Sequence, residues 1–262
     1  MRWLTAVSAA FVALFSAIDA PAVELTLSHG EAVQIGHRIW QNECGGTRSG
    51  LTSWNAGEDF ASLGIGHFIW YPAGKRGPFE ESFPPLLHYI HQRGEKLPQF
   101  LLPNDVDCPW DSRAQFLAAS SSSEMKQLRN FLADTVELQA DFLVIRLVQS
   151  MPKILKAVPT AERLKVEHRF ERLSRSAQGC YALIDYVNFK GEGLLTTERY
   201  SGRGWGLLEV LEGMSDESPA ANAFADSAAR VLRERVANSP PDRHEARWLP
   251  GWLNRVATYR RP

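Results

Sequence analysis

One β-rich segment, in a chain that otherwise carries helical periodicity, sets the limits on this fold. From Ser62 to Tyr71 the chain runs Ser-Leu-Gly-Ile-Gly-His-Phe-Ile-Trp-Tyr, dense in β-formers, and Pro72 with Gly74 stops it. Residues 47–61 before it are polar and contain glycine, as a turn or loop does. Together, residues 52–71 predict a hairpin or a small sheet of two to three strands. So small a sheet cannot hide its own apolar faces and has to rest on helices. Helices flank it on both sides. Leu27 to Glu43 predicts the first: Ser28 caps it, Glu31 completes a capping box, Val33, Ile35, Ile39 and Trp40 form an apolar face, and Gly45-Gly46 ends it. Pro84-Pro85 opens a second helix to about Gln92, and residues 94–110 read as irregular. Helical patterns follow at 124–157 with Ser123 as cap, then at 160–175, 177–188, 203–213, 218–238 and 243–258, with a glycine-marked loop at 188–193. The expected fold class is α+β, mostly α: one helical domain, residues 23–262, with a small β-hairpin inserted near its N-terminus.

The first residues read as a cleavable signal peptide. Arg2 gives the positive start, Trp3 to Ala17 is almost wholly apolar, and Ala20-Pro21-Ala22 places small residues where a signal peptidase cuts, so 1–22 is set apart from the fold. An apolar run of that length is shorter than the roughly 20 residues a membrane helix needs. The strongest later candidate, Asp141 to Val148, is short and broken by Arg146. The expectation is an exported protein, periplasmic or secreted, with no integral membrane segment after cleavage. With 29 basic and 30 acidic residues and no polybasic run, nothing points to nucleic acid or to a membrane surface. Three cysteines, Cys44, Cys108 and Cys180, allow one disulfide with one thiol left over in an exported chain, and the sequence does not choose the pair. Of the eight tryptophans, Trp40, Trp54, Trp70, Trp110 and Trp205 lie in or near the segments singled out below. Aromatic platforms of that kind hold sugar rings, and core packing is the plainer use of each.

Glu43 stands at the C-terminal end of the first helix, where the partial negative charge of the helix disfavours a carboxylate anion. Burial beside Trp40 would favour the neutral acid as well. A carboxylic acid that keeps its proton near neutral pH is what general-acid cleavage of a glycosidic bond requires. Glu58 and Asp59 precede the strand and Ser62 opens it. A second carboxylate can position water or stabilise an oxocarbenium-like centre, and a hydroxyl can help hold that water. Gly64 and Gly66 leave the backbone open to a bulky polymer.

The order of these features, a helix ending in Glu, then glycine, then Ser62-Leu63-Gly64-Ile65-Gly66-His67, then helices only, resembles the lysozyme-like superfamily. It is most similar to the phage-type lysozymes, whose strand carries a Thr-Ile-Gly-Tyr/Ile-Gly-His signature after a helix-terminal Glu. The resemblance covers residues 43–67 and is architectural elsewhere. It implies that Glu43 is the proton donor and that Ser62 takes the place of the threonine that positions water. The interval from Glu43 to Gly64 is longer than in that family, and Ala56 stands where the family's hairpin Asp would be. The second carboxylate is therefore Glu58, or Asp59, or absent. Lytic transglycosylases manage with one Glu, because the sugar itself closes the ring.

Downstream, Ala182 to Gly193 resembles the Ala-Tyr-Asn-Ala-Gly segment of lytic transglycosylases, and Glu198 to Gly206 a Tyr-Gly-Arg-Gly stretch of plant-type chitinases. These similarities make Asn188, Lys190, Glu192, Tyr200 and Arg203 candidate sugar contacts, with Asp59 and His67 on the hairpin side. The plainer reading is a glycine-rich helix–loop–helix junction, and for His67 a hydrogen-bonded structural histidine. His88 and His91 have a spacing that zinc ligands use, yet no partner pattern accompanies them, so no metal and no cofactor is expected. Cys44 has no base in view that would make it a nucleophile. The expected activity is cleavage of peptidoglycan, or of a related amino-sugar polymer, by a muramidase or lytic transglycosylase. The alternative is a lysozyme-like envelope protein that binds glycan or protein without cutting.

Overall fold

The computed structural model describes residues 25, 27–77, 79–102 and 107–260. The export segment expected at 1–22 lies outside the described residues. Among the described residues the chain is mostly helical with two small antiparallel sheets, in keeping with the α+β, mostly α class expected from its pattern. The helices, in chain order, are α1 His29–Cys44, α2 Phe83–Gln92, α3 Arg113–Ala118, α4 Ser123–Asp134, α5 Val136–Ala157, α6 Thr160–Ser174, α7 Ala177–Lys190, α8 Leu207–Gly213, α9 Ala220–Asn238 and α10 Leu249–Ala257. Strands β1 Thr52–Ser53, β2 Ala61–Leu63 and β3 Phe68–Trp70 form the first sheet, in the order β1-β2-β3. Strands β4 Arg199–Tyr200 and β5 Arg203–Gly204 form the second.

α1 begins as its sequence predicts. Ser28 Oγ accepts from the Glu31 amide, and the Glu31 carboxylate accepts from the Ser28 amide at 2.9 Å. Gly45 ends the helix at φ 60°, a left-handed conformation that glycine adopts freely. The three residues of β2 are all buried, so both of its faces are covered. Strand pairing sets Ser62 opposite Ser53 on one side and Ile69 on the other. α5 carries the assembly, packing against α1, α2, α6 and α7, while α7 also meets α8 and α9. A continuous cluster of buried side chains extends from Ile35 through Leu63, Phe68 and Trp70 to Leu147, Tyr186, Phe224 and Tyr259. Each large side chain so buried contributes about 1.5–3 kcal/mol through removal from water. Among the described residues no helix is long and apolar enough to cross a membrane.

The structure departs from the sequence reading at several places, among them the last helix, expected from 243 but beginning at Leu249. α4 is capped by Ser122, whose hydroxyl accepts from the Met125 amide at 3.1 Å, and Ser123 becomes the first helical residue. α7 does not stop at 188 but runs to Lys190, its last turn held by Phe189 and Lys190 against Trp252, and Gly191 (φ 79°) ends it. Residues 203–204 are strand, not helix. Ser201 and Gly202, both at positive φ, turn the chain tightly enough to pair Arg199 with Gly204, so α8 begins only at Leu207. The cysteine question that the sequence left open resolves without a pair: Cys44, Cys108 and Cys180 are all free and buried.

Candidate functional site

The turn between β2 and β3 is built by two helices that reach it from below. Gln139 of α5, fully buried, accepts the Ile65 amide at 2.9 Å and donates to Leu132 O at 2.6 Å. Asn188 of α7 donates to Gly66 O at 3.0 Å. These contacts explain the two glycines. Gly64 has φ 68°, and a Cβ there would strike the Gln139 amide; a Cβ on Gly66 would lie 2.9 Å from the Phe68 ring and 3.2 Å from Asn188. The space over both residues is taken by the protein itself. The idea that they leave room for a polymer is corrected accordingly: they allow α5 and α7 to grip the turn.

Gripped in this way, the turn presents His67 (φ 49°) to Glu43, with Nδ1 3.3 Å from Oε2. Burial holds the His67 imidazole below its ordinary pKa; Glu43 opposes that shift and Arg255 adds to it. The other Glu43 oxygen, Oε1, accepts from Arg255 Nη2 at 2.6 Å. Arg255 comes from α10 and is itself gripped by Asp185 of α7: Nε reaches Oδ2 and Nη2 reaches Oδ1, both at 2.8 Å. Asp185, wholly buried, also accepts from Tyr259 OH at 2.6 Å and from Asn42 Nδ2 at 3.3 Å. Each of its oxygens thus has two donors, which a buried carboxylate requires. Burial next to that carboxylate pushes the Tyr259 hydroxyl well above the ordinary phenol range, so it stays a donor. The Asp185 and Glu43 carboxylates together hold the Arg255 guanidinium firmly charged against its burial. Glu43 keeps 13 % of its side chain exposed, while Asp185 beneath it is wholly buried.

A second ion pair lies behind α7. Arg235 of α9 makes two bonds to Glu245, at 2.7 and 2.8 Å, and Tyr200 OH donates to the same carboxylate at 2.9 Å. Between the two pairs stands Lys190, its amine 3.9 Å from the Phe189 ring centre and 3.6 Å from that of Trp252. The Arg255 guanidinium covers the Phe189 ring at 4.1 Å.

Of the residues expected from sequence, the structure brings together Glu43, His67 and Asn188, with Lys190 beside them. Ser62 is buried in the middle of the sheet. Glu58 and Asp59 lie before β2, at the end of the strand opposite the His67 turn. Glu58 is bonded by Asn55 at 3.1 Å, burial raises its pKa, and Asp59 is exposed. Glu192 pairs with Lys153 at 3.1 Å, Tyr200 serves Glu245, and Arg203 is an exposed residue 3.7 Å from Glu234. Among the described residues no cluster of His, Cys, Asp or Glu has the makings of a metal site. The Cys44 thiol, buried and donating to Gly64 O at 3.4 Å, is pushed up to about 12 by burial and by Glu43. Sequence reading passed over Asp185, Arg255 and Tyr259. A lone acid inside the apolar run Ala182 to Tyr186 was the available signal for Asp185; Arg255 and Tyr259 carry no local one. No family model, curated protein or solved structure matches the chain, so the functional reading rests on these residues and their geometry.

Proposed function

We propose that this is a lysozyme-like, glycan-cleaving enzyme, exported to act on peptidoglycan or a related amino-sugar polymer, with Glu43 as its general acid. The observation that carries the reading is the setting of Glu43. A carboxylate at the end of the first helix is turned toward the Gly64–His67 turn, with Asn188 bonded to that turn and 13 % of the Glu43 side chain exposed. In this scheme the Glu43 proton passes from Oε2 to the glycosidic oxygen as the bond to the anomeric carbon breaks, and Arg255 on Oε1 balances the carboxylate charge left behind. His67, neutral at pH 7, keeps Oε2 aimed. No second carboxylate stands free at this centre among the described residues: Asp185 is buried and fully bonded, and Glu58 and Asp59 are at the other end of the strand. That favours a lytic transglycosylase, in which a hydroxyl of the sugar closes on the anomeric carbon and gives its proton back to the Glu43 carboxylate, over a muramidase with a second acid.

The same pairing of Glu43 with Arg255 favours a second reading, a glycan-binding envelope protein in which Glu43 is a structural ion-pair partner. One experiment separates them. Purified peptidoglycan is incubated with the mature protein and the products are weighed by mass spectrometry. Anhydro ends support transglycosylase action, reducing ends hydrolysis, and retention without release the binder. Glu43→Gln must abolish cleavage; unchanged cleavage by that variant rules out the assignment of the acid.

A further inference from the structure

Three carboxylates stand around the end of α7 and share two guanidinium groups. Glu43 is held by Arg255 and His67, Asp185 by Arg255 with Tyr259 and Asn42, and Glu245 by Arg235 with Tyr200. Lys190 is the basic group there without a bonded partner. Among the described residues its amine makes no hydrogen bond or ion pair, and it rests between the Phe189 and Trp252 rings, half-buried. Ring faces attract an ammonium but supply no counter-charge. Next to Trp252, at 6.1 Å between ring centres, is Trp248, 41 % exposed, so the lysine sits where an aromatic pair reaches the surface.

We infer that Lys190 sets specificity by receiving a carboxylate of the ligand, so that the site selects an acidic glycan over a neutral one of the same backbone. The inference rests on the glycan-site reading above and deepens it by naming the substrate class. An incoming carboxylate supplies the bonded acceptor that the Lys190 amine lacks, and the Trp248–Trp252 pair offers a face for the sugar that bears it. Burial and the Arg235 and Arg255 guanidinium groups hold the free amine well below the ordinary lysine range, while Glu245 and Glu43 oppose this. A bound carboxylate therefore also draws a proton onto Lys190.

The test is binding, measured by titration calorimetry in the Glu43→Gln background so that nothing turns over. The probes are a peptide-free tetrasaccharide of alternating N-acetylglucosamine and N-acetylmuramic acid, whose lactyl carboxylates are free, and chitotetraose, which has none. Lys190→Met keeps the packing against both rings, and Lys190→Arg keeps the charge. The expected result is that Lys190→Met weakens the acidic tetrasaccharide by about tenfold or more, the worth of one charge-assisted bond. Chitotetraose should change by less than about twofold, and Lys190→Arg should retain the preference. Proton uptake on binding the acidic ligand, read from buffers of different ionisation enthalpy, should disappear in Lys190→Met. Equal losses for both sugars, or no loss for either, overturn the inference, as does failure of the parent to bind the acidic tetrasaccharide. Cleavage by the wild-type protein is scored separately. Cleavage without a Lys190 effect sinks this inference alone, and a Lys190 effect without cleavage sinks only the enzymatic reading.

Discussion

Arg255 Nη2 lies 2.6 Å from Glu43 Oε1, joining the last long helix to the first across 212 positions of sequence. The same nitrogen donates to Asp185 Oδ1 at 2.8 Å, so one guanidinium ties α1, α7 and α10 at a single point. Both ends of the bond are sheltered, with Arg255 11 % and Glu43 13 % exposed at their side chains. A charge pair out of water gives little net stability when intact, but losing one member leaves the other charge stranded.

Arg255→Met should therefore cost more than an ordinary surface change. It leaves the buried Asp185 carboxylate with only the Tyr259 hydroxyl and Asn42 as donors. A loss of about 3–5 kcal/mol in urea unfolding is expected, the range for breaking a buried pair from one side. Arg255→Lys should recover part of it, because one ammonium cannot span both carboxylates as the planar guanidinium does. A loss under about 1 kcal/mol for the methionine variant would mean that the pair is solvated rather than structural.

His67 occupies a left-handed backbone position at φ 49°, where Asn is tolerated and a β-branched side chain is not. His67→Asn should keep stability within about 1 kcal/mol, whereas His67→Val should lose about 1–3 kcal/mol through backbone strain. Both remove the contact at Glu43 Oε2. Under the proposed enzymatic reading, cleavage of peptidoglycan should drop in both, which separates the aim of Glu43 from the integrity of the turn. Equal stability of the two variants, followed by urea unfolding, would show that the turn is not held in the described conformation.

The three thiols give a direct check on packing. Cys44, Cys108 and Cys180 are all buried, and burial is the main cause pushing each up to about 12. The thiolate is the reactive form, so at pH 8 only about one thiol in ten thousand is ionised. Native protein should stay silent to a disulfide reagent for many minutes, then release three thiols per chain once unfolded without reductant. One thiol instead of three would reveal a disulfide and refute the free state of the cysteines.

Local signals in the sequence located what local physics builds. The Ser28–Glu31 capping box, the Gly45 stop and the small sheet over 52–71 all stand where their residues predicted them. Glu43 and His67 were legible as candidates because helix end and strand turn are each marked by glycine. The second tier of the site was not. Arg255 reaches Glu43 only because α10 packs on α9 and α9 on α7, and no spacing within one segment encodes that. The hairpin over Arg199–Gly204 was read partly as helix, since its turn depends on positive φ at Ser201 and Gly202 and on the Glu209 carboxylate packed under Gly204. Gly64 and Gly66 were recognised, but for the wrong partner: α5 and α7 fill the space above them, a long-range fit that a single strand cannot announce.

Glu209 offers a prediction with a definite sign. It lies beneath the β4–β5 hairpin, accepting from the Gly206 amide at 3.1 Å with Arg199 at 3.3 Å, and 15 % of its side chain is exposed. Burial raises its pKa from 4.5 to about 7, outweighing the lowering by backbone amides and Arg199; Glu212 adds a little to the rise. In the folded state it therefore holds a proton that the unfolded chain has released over the window from pH 4.5 to about 7. Stability falls wherever the native state binds more protons than the unfolded one as pH rises, so this group supports the fold fully below pH 4.5 and loses that support as pH climbs through about 7. The shift corresponds to roughly 3 kcal/mol at most. Glu209→Gln, neutral at every pH, should flatten the decline: the variant should gain on wild type between pH 5 and pH 8, by up to about 3 kcal/mol in urea unfolding. Because Tyr200 on the same hairpin bonds Glu245, fluorescence of the adjacent Trp205 should report any loosening of the hairpin in wild type above pH 7 and none in the variant. Parallel stability curves for the two proteins across that window would show that Glu209 is ionised in the fold at every pH tested.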